Sequence, residues 1–448
     1  MNKLLFICGI NMWKISILSL LILAIPSEGN KSPKQKVCIV GAGPAGLIAT
    51  KYVAQHLDEF ELITFDKQSN VGGMWIYTDS TTVDEHGLPV HSSLYKYLKI
   101  NGPKEFLSYP DYTMFTAGNG SFVYHSLVLE YLKNYTNYFN LRKYIQFDTN
   151  VEKVSLIHGD KWLVNIRNLN TNEKDEILCD IFIAGSGHHV KGNIPKIPGI
   201  ESFPGRVLHS HLFRKPEEFA GQTVVVLGAG LSGFDISIQI SWNASMVYLS
   251  SRHDKLPSIL PENVVQVAGI ASANGNELIL NDGTRIKADA LLFATGYLYD
   301  LPYLDENTGI IVEDGKYVRF LYKQFISIEH PTMAILNIPT PSYGFIMPHA
   351  QMQYFLAVLR GKLTLPSREK MLEEEKLPPG KPKSKAHFMI EEMFSYYDGL
   401  ALAGGGDPLP DYFEPGFWLF YNELLRDPTH YREKNLYIYN NGKVVEFC

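Results

Sequence analysis

The sequence predicts an α/β protein with two parallel-sheet domains, the smaller of which is inserted into the larger. One observation is a repeat, because the stretch VCIVGAGPAGLI at Val37–Ile48 returns as VVVLGAGLSGFD at Val224–Asp235. A second observation is a similarity between two later stretches. CDIFIAGSG at Cys179–Gly187 and ADALLFATG at Ala288–Gly296 each have an Asp followed at the same distance by a Gly. Apolar runs of this kind suit the buried strands of a parallel sheet. Each glycine turn therefore opens a domain, and the matching later run closes it.

The first glycine turn has the features of a Rossmann-like dinucleotide site. Strand, turn and helix follow in that order, and the next strand, FELITFDK, ends at Asp66. Glycines in such a turn allow the tight bend, the approach of backbone amides to a pyrophosphate and close packing of helix on strand. An acid at the end of the second strand can hold a ribose hydroxyl, which a purely structural turn would not explain. The residues expected to contact this nucleotide are Gly41, Gly43, Ala45, Gly46, Asp66 and Gln68.

The second glycine turn differs from the first where the first has its acid. The strand after it, MVYLSSRHD, brings Ser251 and Arg252 to the position of Asp66. An acid at this position favours a ribose with a free 2′-hydroxyl, and an Arg favours a 2′-phosphate. The first turn therefore suits FAD and the second suits NADPH. This pair of cofactors indicates hydride transfer from NADPH to FAD. For Arg252 the alternative is a solvated strand end. The residues expected to contact NADPH are Gly228, Gly230, Leu231, Ser232, Gly233, Ser251 and Arg252.

Composition and cysteine content exclude several classes of function. The chain has 448 residues, a formal net charge of −6 and no block of basic residues, so nucleic-acid binding is not expected. None of the four cysteines, Cys8, Cys38, Cys179 and Cys448, belongs to a paired motif, which excludes a disulfide reductase, and their spacing fits neither a disulfide framework nor a zinc site. Cys38 and Cys179 lie in apolar strand-like runs, where we expect them as unpaired, buried hydrophobic side chains. No metal is assigned.

A basic residue and a short apolar run precede the first domain. Lys14 is followed by ISILSLLILAI, which ends at Ile25, and then by PSEG. The run is shorter than the roughly 20 apolar residues that span a bilayer, so the pattern indicates a secretory signal at residues 1–29, cleaved before Asn30. The alternative is an uncleaved anchor that begins at Met1 and also uses LLFICGI. We expect a secreted chain without a stable membrane anchor in its mature form.

The segment between the two domains carries a family signature. In FPGRVLHSHLF, the residues Phe203, Gly205, His209 and Phe213 match F-x-G-x-x-x-H-x-x-x-[YF], and the chain here resembles the flavin-containing monooxygenases, which this pattern identifies. Similar short segments are spread over most of the chain after the signal. They are NVGGMW at 70–75, NGPKE at 101–105, FATGY at 293–297, and HAQMQYF with GKLTLPS within 349–367.

Departures from the family pattern indicate which branch of the family the chain resembles. The stretch GSG at 185–187 has Ser186 in place of the usual threonine, which keeps the hydroxyl. Phe213–Arg214 is not the Trp followed by Pro or Asp of Baeyer–Villiger monooxygenases, which argues against that subclass. The ending LYIYNNGKVVEFC predicts a hairpin at Asn441–Gly442 and lacks the apolar tail that anchors mammalian members. With the secretory signal, these features resemble a secreted insect branch of alkaloid N-oxygenases, senecionine N-oxygenase among them.

The resemblance implies a domain plan and a reaction. The FAD domain would comprise residues 33–205 and 328–448, with the NADPH domain, 206–327, inserted. NADPH would reduce FAD, O2 would then form a C4a-hydroperoxyflavin, and one oxygen atom would pass to a soft nitrogen or sulfur of a small amine or sulfide. A tertiary amine such as a pyrrolizidine alkaloid is the expected substrate, in a detoxifying oxidation. The protein's task is to exclude water and to hold NADP⁺ over the flavin; a homo-oligomer is compatible with this plan.

The resemblance also assigns individual residues. Asn101 is expected to be catalytic and to contact the flavin, although Asn101, Gly102 and Pro103 all favour a simple turn as well. His209 is either catalytic or a structural residue that holds the interdomain linker near NADP⁺. The remaining residues expected to contact cofactors are Gly73, Met74, Trp75, Ser186, Thr295, Gly296 and Gln351.

Two other functions stay open on sequence grounds. One is an FAD-dependent amine oxidase, which would make no use of the second nucleotide site and would consume no NADPH. The other is a secreted, catalytically silent flavoprotein that acts as a binding module. The presence of Asn101 and Arg252 argues against the silent alternative.

Overall fold

The computed structural model describes residues 33–113, 120–341, 344–439 and 444–448. The predicted signal at residues 1–29 and the turn predicted at Asn441–Gly442 lie outside the described residues. In chain order the described strands are β1 Gln35–Val40, β2 Phe60–Phe65, β3 Ile145–Gln146, β4 Thr149–Ile157, β5 Lys161–Asn168, β6 Lys174–Cys179, β7 Ile181–Ala184, β8 Lys191–Gly192, β9 Arg206–His209, β10 Thr223–Leu227, β11 Met246–Ser251, β12 Val264–Ala268, β13 Ile270–Asn274, β14 Glu277–Leu280, β15 Arg285–Lys287, β16 Ala290–Phe293, β17 Tyr297–Leu298, β18 Ile311–Glu313, β19 Tyr317–Arg319, β20 Leu321–Tyr322, β21 Ile326–Ser327, β22 Met333–Ile335, β23 Leu436–Tyr439 and β24 Val444–Phe447. The described helices are α1 Pro44–Ala54, α2 Lys104–Leu107, α3 His125–Tyr138, α4 Leu231–Ser241, α5 Ile346–Leu359, α6 Arg368–Glu375, α7 Met393–Ala403 and α8 Phe413–Arg426.

The larger sheet has the order β20-β21-β22-β7-β1-β2-β3. Its centre is parallel, because β1 pairs with β2 on one side and with β7 on the other, and β22 extends the parallel part beyond β7. The apolar runs predicted as buried strands form this centre, where Val37, Ile39 and Phe182 are fully buried. β20 and β21 add an antiparallel edge. This sheet therefore includes strands that precede the predicted domain boundary at 327/328.

The smaller sheet is parallel throughout and has the order β12-β11-β10-β16-β9. All of its strands come from residues 206–293, between β7 and β22 of the larger sheet. The smaller domain is thus inserted into the larger one, and the predicted α/β fold with two Rossmann-like domains is confirmed. The residue boundaries 33–205, 206–327 and 328–448 stay predictions.

Two aspartates close the two repeats in the same way. Asp180 Oδ2 accepts a hydrogen bond of 2.8 Å from the backbone N–H of Lys36, near the start of β1. Asp289 Oδ2 accepts one of 2.8 Å from the backbone N–H of Thr223, at the start of β10. Each Asp ties the strand that closes its domain, β7 or β16, to the strand that opens it. This shared contact explains why the two closing runs have similar sequences.

The chain after β22 returns to the larger domain. α5 packs on α1 and α7, and most of its residues from Ile346 to Ala357 are buried. α8 adds Phe417 and Phe420 to the same hydrophobic core. β23 and β24 then pair antiparallel, as the predicted hairpin requires. None of the described helices is both long enough and apolar enough to cross a membrane.

Cys38 and Cys179 form a disulfide, which corrects the expectation that both are unpaired. Cys38 lies in β1 and Cys179 ends β6, with 6.0 Å between their Cα atoms and a sequence separation of 141. Both side chains are buried, as expected. Cysteine spacing does not reveal the pairing, because β6 belongs to a separate sheet with β4 and β5, and only the folded chain brings its end next to β1. Cys448 is free and exposed.

We expect the Cys38–Cys179 bond to stabilise the fold through the long loop that it closes. Replacing both residues, as Cys38→Ala with Cys179→Ala, should lower the free energy of unfolding by about 2–5 kcal/mol in urea denaturation. Cys448→Ala is the matched control, since that thiol is exposed and unpaired. A reductant should lower the stability of the wild type and of the control but not that of the double variant. Equal sensitivity of all three proteins to reductant would show that the bond is absent.

Candidate active site and cofactor sites

Backbone packing leaves no room for side chains in the first glycine turn. Gly41 has a φ of +99°, and a Cβ built there would lie 2.5 Å from the carbonyl oxygen of Gly185. A Cβ on Gly46 would lie 1.6 Å from the carbonyl oxygen of Gly41. The turn is therefore pressed between α1 and the end of β7. Gly43 caps α1 without a side chain, so the first N–H groups of the helix stay available to a pyrophosphate, as an FAD site requires.

Asp66 lies beside this turn, directly after β2. Its Oδ2 accepts a hydrogen bond of 2.5 Å from the N–H of Ala42, and its Oδ1 accepts one of 2.7 Å from the N–H of Gln68. Burial raises the pKa of the Asp66 carboxyl to about 6, and the two backbone donors oppose that shift. A carboxylate held in this way fits the ribose of a dinucleotide whose pyrophosphate lies on α1. Gln68 contributes to this site through its backbone N–H and not through its side chain.

The loop at 70–75 brings a further glycine against the first turn. A Cβ on Gly73 would lie 2.9 Å from the Cα of Gly43. Gly73, Met74 and Trp75 form one 3-10 turn, and the ring of Trp75 meets that of Phe345 edge-on at 6.4 Å between centroids. The loop that the sequence assigned to the flavin is therefore in contact with the glycine turn.

Three other residues predicted for cofactor binding have contacts within the protein. Ala45 is buried in α1. The hydroxyl of Ser186 lies 2.8 Å from that of Tyr303. Gln351 is fully buried on α5, where its Oε1 accepts a hydrogen bond of 2.8 Å from the N–H of Asn337 and its Nε2 donates to a tyrosine hydroxyl on α7. Both ends of the Gln351 amide are thus occupied by the protein, and this residue fixes the backbone that follows β22.

The second glycine turn repeats the geometry of the first. Gly228 has a φ of +117°, and a Cβ there would lie 2.3 Å from the carbonyl oxygen of Ala294, after β16. A Cβ on Gly233 would lie 1.7 Å from the carbonyl oxygen of Gly228. Gly230 caps α4 without a side chain and faces open space. A second pyrophosphate fits at this helix end, where Leu231 and Ser232 form the first residues of α4.

Arg252 follows the strand that lies next to this turn. Leu227 of β10 pairs with Ser250 of β11, just as Val40 of β1 pairs with Phe65 of β2, so Ser251 takes the place of Asp66 and Arg252 comes one residue later. The Ser251 Oγ accepts a hydrogen bond of 3.1 Å from the N–H of His253. Arg252 is exposed and has no ion pair within the part of the chain that the structure describes. It is therefore free to bind an anionic ligand such as a 2′-phosphate.

Both ring nitrogens of His209 are engaged by the backbone. Nδ1 accepts a hydrogen bond of 3.1 Å from the N–H of His211, so the ring proton is on Nε2, which lies 2.9 Å from the carbonyl oxygen of Gly296. Burial lowers the pKa of His209 and keeps the ring neutral. In this arrangement neither nitrogen is free to move a proton to or from a ligand. The geometry favours the structural role over the catalytic one.

His209 packs where the chain crosses between the two domains. β8 and β17 pair antiparallel there, with Gly192 opposite Tyr297. A Cβ on Gly192 would lie 2.6 Å from the Cγ of His209, and the ring of Tyr297 meets the imidazole edge-on at 5.1 Å. The Thr295 hydroxyl donates to the carbonyl oxygen of Asn193 across the same two connections. Thr295 and Gly296 therefore join the crossing segments to each other.

Asn101 of the larger domain lies against the start of α4 in the smaller one. It shares a small space with Leu231 and Phe234, the residues that follow the second glycine turn. Its Oδ1 accepts a hydrogen bond of 2.7 Å from Nη2 of Arg432, and Arg432 in turn pairs with Asp235 at 2.5 Å. The structure thus joins Asn101 to the second nucleotide turn. Sequence reasoning missed both residues: no motif in RDPTHYREKN signals Arg432, and Asp235 stood in the second glycine-turn repeat without an assigned role.

Sequence reasoning also missed His91, a partly buried histidine near the first turn. His91 lies between the flavin loop and the end of β7, within 3.8 Å of a Cβ built on either Gly73 or Gly187. Burial lowers the pKa of His91 to about 3 and that of His189 to about 4. Both rings are neutral at physiological pH, so the polar groups that they place near the first glycine turn carry no charge. No spacing rule singles out His91, because its neighbours come from distant parts of the chain.

Comparison with known proteins agrees with this geometry. The family model described as flavin-binding monooxygenase-like matches residues 34–256 and 253–401. The chain is 32% identical over 424 residues to flavin-containing monooxygenase FMO GS-OX4 of Arabidopsis thaliana, covering 89% of this chain and 91% of the relative. It is 30% identical over 429 residues to senecionine N-oxygenase of Tyria jacobaeae (93% and 92% covered) and 31% identical over 422 residues to trimethylamine monooxygenase of Pelagibacter ubique (91% and 92% covered).

Solved structures show the same architecture. S-allyl-L-cysteine S-oxygenase from Allium sativum superposes with a TM-score of 0.83 at 28% identity, covering 89% of this chain and 95% of that one. The Tmm protein from Pelagibacter sp. strain HTCC7211 gives 0.81 at 27% identity, with 92% and 95% covered. The two glycine turns, the family match and these relatives lead to one conclusion: the chain belongs to the flavin-binding monooxygenase-like family and is a flavin-dependent monooxygenase that uses NADPH.

Proposed function

We propose that the chain is an FAD- and NADPH-dependent monooxygenase whose substrate is a tertiary amine such as a plant pyrrolizidine alkaloid, which it converts to the N-oxide. The position of Asn101 carries this proposal. Its side chain lies beside the start of α4, and within the described residues its Nδ2 makes no hydrogen bond. When bound, a flavin reduced by NADPH supplies the reaction with O2. Asn101 therefore has a free donor beside the second nucleotide turn, and the proposal places the reaction near this donor.

The roles of the other residues follow from their places around the two turns. The N-terminus of α1 and the Asp66 carboxylate would hold the pyrophosphate and the ribose of FAD. The N-terminus of α4 and Arg252 would hold the pyrophosphate and the 2′-phosphate of NADPH. The substrate supplies its own nucleophilic atom, so the protein needs no nucleophile, and His209 would keep the two domains in register.

The residues around Asn101 carry no net charge, which is compatible with an uncharged substrate nearby. Leu231, Phe234 and Leu424 are apolar, and Asp235, a carboxylate in the same lining, is neutralised by Arg432. An amine attacks through its lone pair and therefore reacts in its unprotonated form. Within the described lining, no unpaired carboxylate favours the protonated amine.

The printed names of the relatives bear on the class of atom that is oxidised. Senecionine N-oxygenase and trimethylamine monooxygenase are named for nitrogen compounds, whereas S-allyl-L-cysteine S-oxygenase is named for oxidation at sulfur. Both atoms are soft nucleophiles. A panel that pairs tertiary amines with thioethers, with NADPH consumption and product measured together, ranks the two classes and excludes an amine oxidase, which would use no NADPH.

We further propose that the chain is exported and that residues 1–29 are removed. The buried Cys38–Cys179 disulfide supports this, because such bonds persist in oxidising compartments. Asn134 and Asn243, in glycosylation triplets, are exposed. Amino-terminal mass spectrometry of protein exported from insect cells should find a chain that starts near Asn30. Recovery of an intact Met1 on the exported protein would exclude cleavage.

Asn101→Ala should uncouple NADPH oxidation from oxygen transfer. Loss of one preorganised hydrogen-bond donor in other enzymes costs about 10²–10³ in rate. We expect the variant to keep FAD and to be reduced by NADPH, while the N-oxide formed per NADPH consumed falls at least about tenfold and hydrogen peroxide rises. Asn137→Ala, on an exposed face of α3, is the matched control. An unchanged ratio in the Asn101 variant would mean that residues 101–103 are only a turn.

Arg252→Ala should weaken the binding of NADPH much more than that of NADH. Hydrogen bonds to charged groups contribute roughly 1.5–3 kcal/mol, which corresponds to about 10–150-fold in affinity. Dissociation constants of both nucleotides, measured by fluorescence titration, test this. Arg285→Ala, an exposed arginine of the same domain that pairs with Glu277, should leave both constants unchanged. Equal losses for NADPH and NADH would show that Arg252 does not bind the 2′-phosphate.

A further inference from the structure

The guanidinium of Arg432 is engaged at all three of its nitrogens. Nη2 donates to Oδ1 of Asn101 at 2.7 Å, Nη1 donates to Oδ1 of Asp235 at 2.5 Å, and Nε donates to the carbonyl oxygen of Ile100 at 3.2 Å. The Arg432 side chain is 14% exposed and that of Asp235 is 6% exposed. A buried cation with this many fixed contacts has one orientation, and Asn101 is part of what defines it.

Arg432 decides which end of the Asn101 amide faces the protein. A guanidinium has donors and no acceptor, whereas a carboxamide has an acceptor at one end and two donors at the other. The oxygen of Asn101 must therefore face Arg432, since the reversed amide would place donors against donors. The Nδ2 group is turned away and makes no hydrogen bond within the described residues. Its two N–H donors stay available to a ligand.

Asp235 keeps Arg432 in place from the inserted domain. Its Oδ2 accepts a hydrogen bond from the Tyr95 hydroxyl and another, of 3.2 Å, from Nε2 of Gln239. The Tyr431 hydroxyl donates to the backbone carbonyl of Asn101 at 3.2 Å. The backbone and the side chain of Asn101 are thus both held by the carboxy-terminal segment, here the residues from α8 to 435, and this segment is held by α4 through Asp235.

We propose that Arg432 is a positioning residue: it fixes the carboxamide of Asn101 with its N–H donors free for the oxygenation reaction, and Asp235 fixes Arg432. This rests on the proposed function, in which Asn101 donates a hydrogen bond. Without Arg432, the amide of Asn101 could rotate, and part of the molecules would present a carbonyl oxygen where a donor is needed.

Arg432→Gln tests this, because a glutamine amide can donate or accept and so no longer sets the orientation of Asn101. We expect the N-oxide formed per NADPH consumed to fall at least threefold, with unchanged FAD content. Arg432→Lys should recover much of the loss, since an ammonium group also only donates. Arg426→Gln, an exposed arginine in the same segment that pairs with Glu423, is the control and should match the wild type. An Arg432→Gln ratio equal to that of the control would overturn the proposal.

Two further measurements separate positioning from a general structural effect. In an Asn101→Ala background, Arg432→Gln should cause no additional fall in the ratio, because Arg432 acts through Asn101. On the resting protein, thermal unfolding midpoints of the two single variants and the double variant should be non-additive, as for side chains in contact. Asn101→Asp should keep the wild-type midpoint, since its carboxylate still accepts from Arg432, but should lose product as Asn101→Ala does.

The outcomes also separate this proposal from the proposed function. A wild type that forms no product from any amine or sulfide contradicts the proposed function. In that case the unfolding midpoints alone decide the role of Arg432, and additive shifts would refute its hold on Asn101. If the wild type does form product and Arg432→Gln lowers the ratio equally in the presence and absence of Asn101, the positioning role is wrong while the function stands.

Discussion

The close approach of two backbone segments at each glycine turn is the constraint on which both nucleotide sites depend. The carbonyl oxygens of Gly185 and Ala294 lie so near Gly41 and Gly228 that a Cβ at either glycine would meet them within 2.5 Å. That contact exists only after the closing strand, from far along the chain, has joined the opening strand. Each site is therefore created by sheet assembly, and the helix N-terminus that would receive a phosphate is fixed at the same moment.

The region beside Asn101 is built from three parts of the chain that are distant in sequence. Asn101 belongs to the larger domain, Asp235 to the inserted one and Arg432 to the carboxy-terminal segment. A buried ion pair adds little to stability, but breaking one is costly because it leaves a charge without a partner. The Asp235–Arg432 pair therefore restricts how far the inserted domain can move relative to Asn101 without loss of a buried contact.

The sequence predicts features that come from short local motifs, but not contacts between residues that lie far apart along the chain. The glycine turns, Asp66 and Arg252 follow from short patterns of strand, turn and helix, and the structure brings them to the same two helix ends. Asn101 and His209 came from a resemblance and not from spacing. The Cys38–Cys179 bond, His91 and Arg432 could not be predicted, since each depends on which strands and segments become neighbours in the folded chain. Gln351, predicted to contact a cofactor, has a protein partner at each end of its amide, and its role at the cofactor stays a prediction.

The covalent loop between Cys38 and Cys179 has a consequence for the order of synthesis. Both cysteines precede β9, the first strand of the inserted domain, so a ribosome delivers the complete loop before any of that domain emerges. Domains generally fold as units during synthesis, the amino-terminal one first. Here the larger domain is discontinuous, and its last strands arrive only after the insertion. If the bond closes at that stage, it ties β1 to the end of β6 through that delay, so the opening strand of the larger sheet is held covalently before β22 arrives.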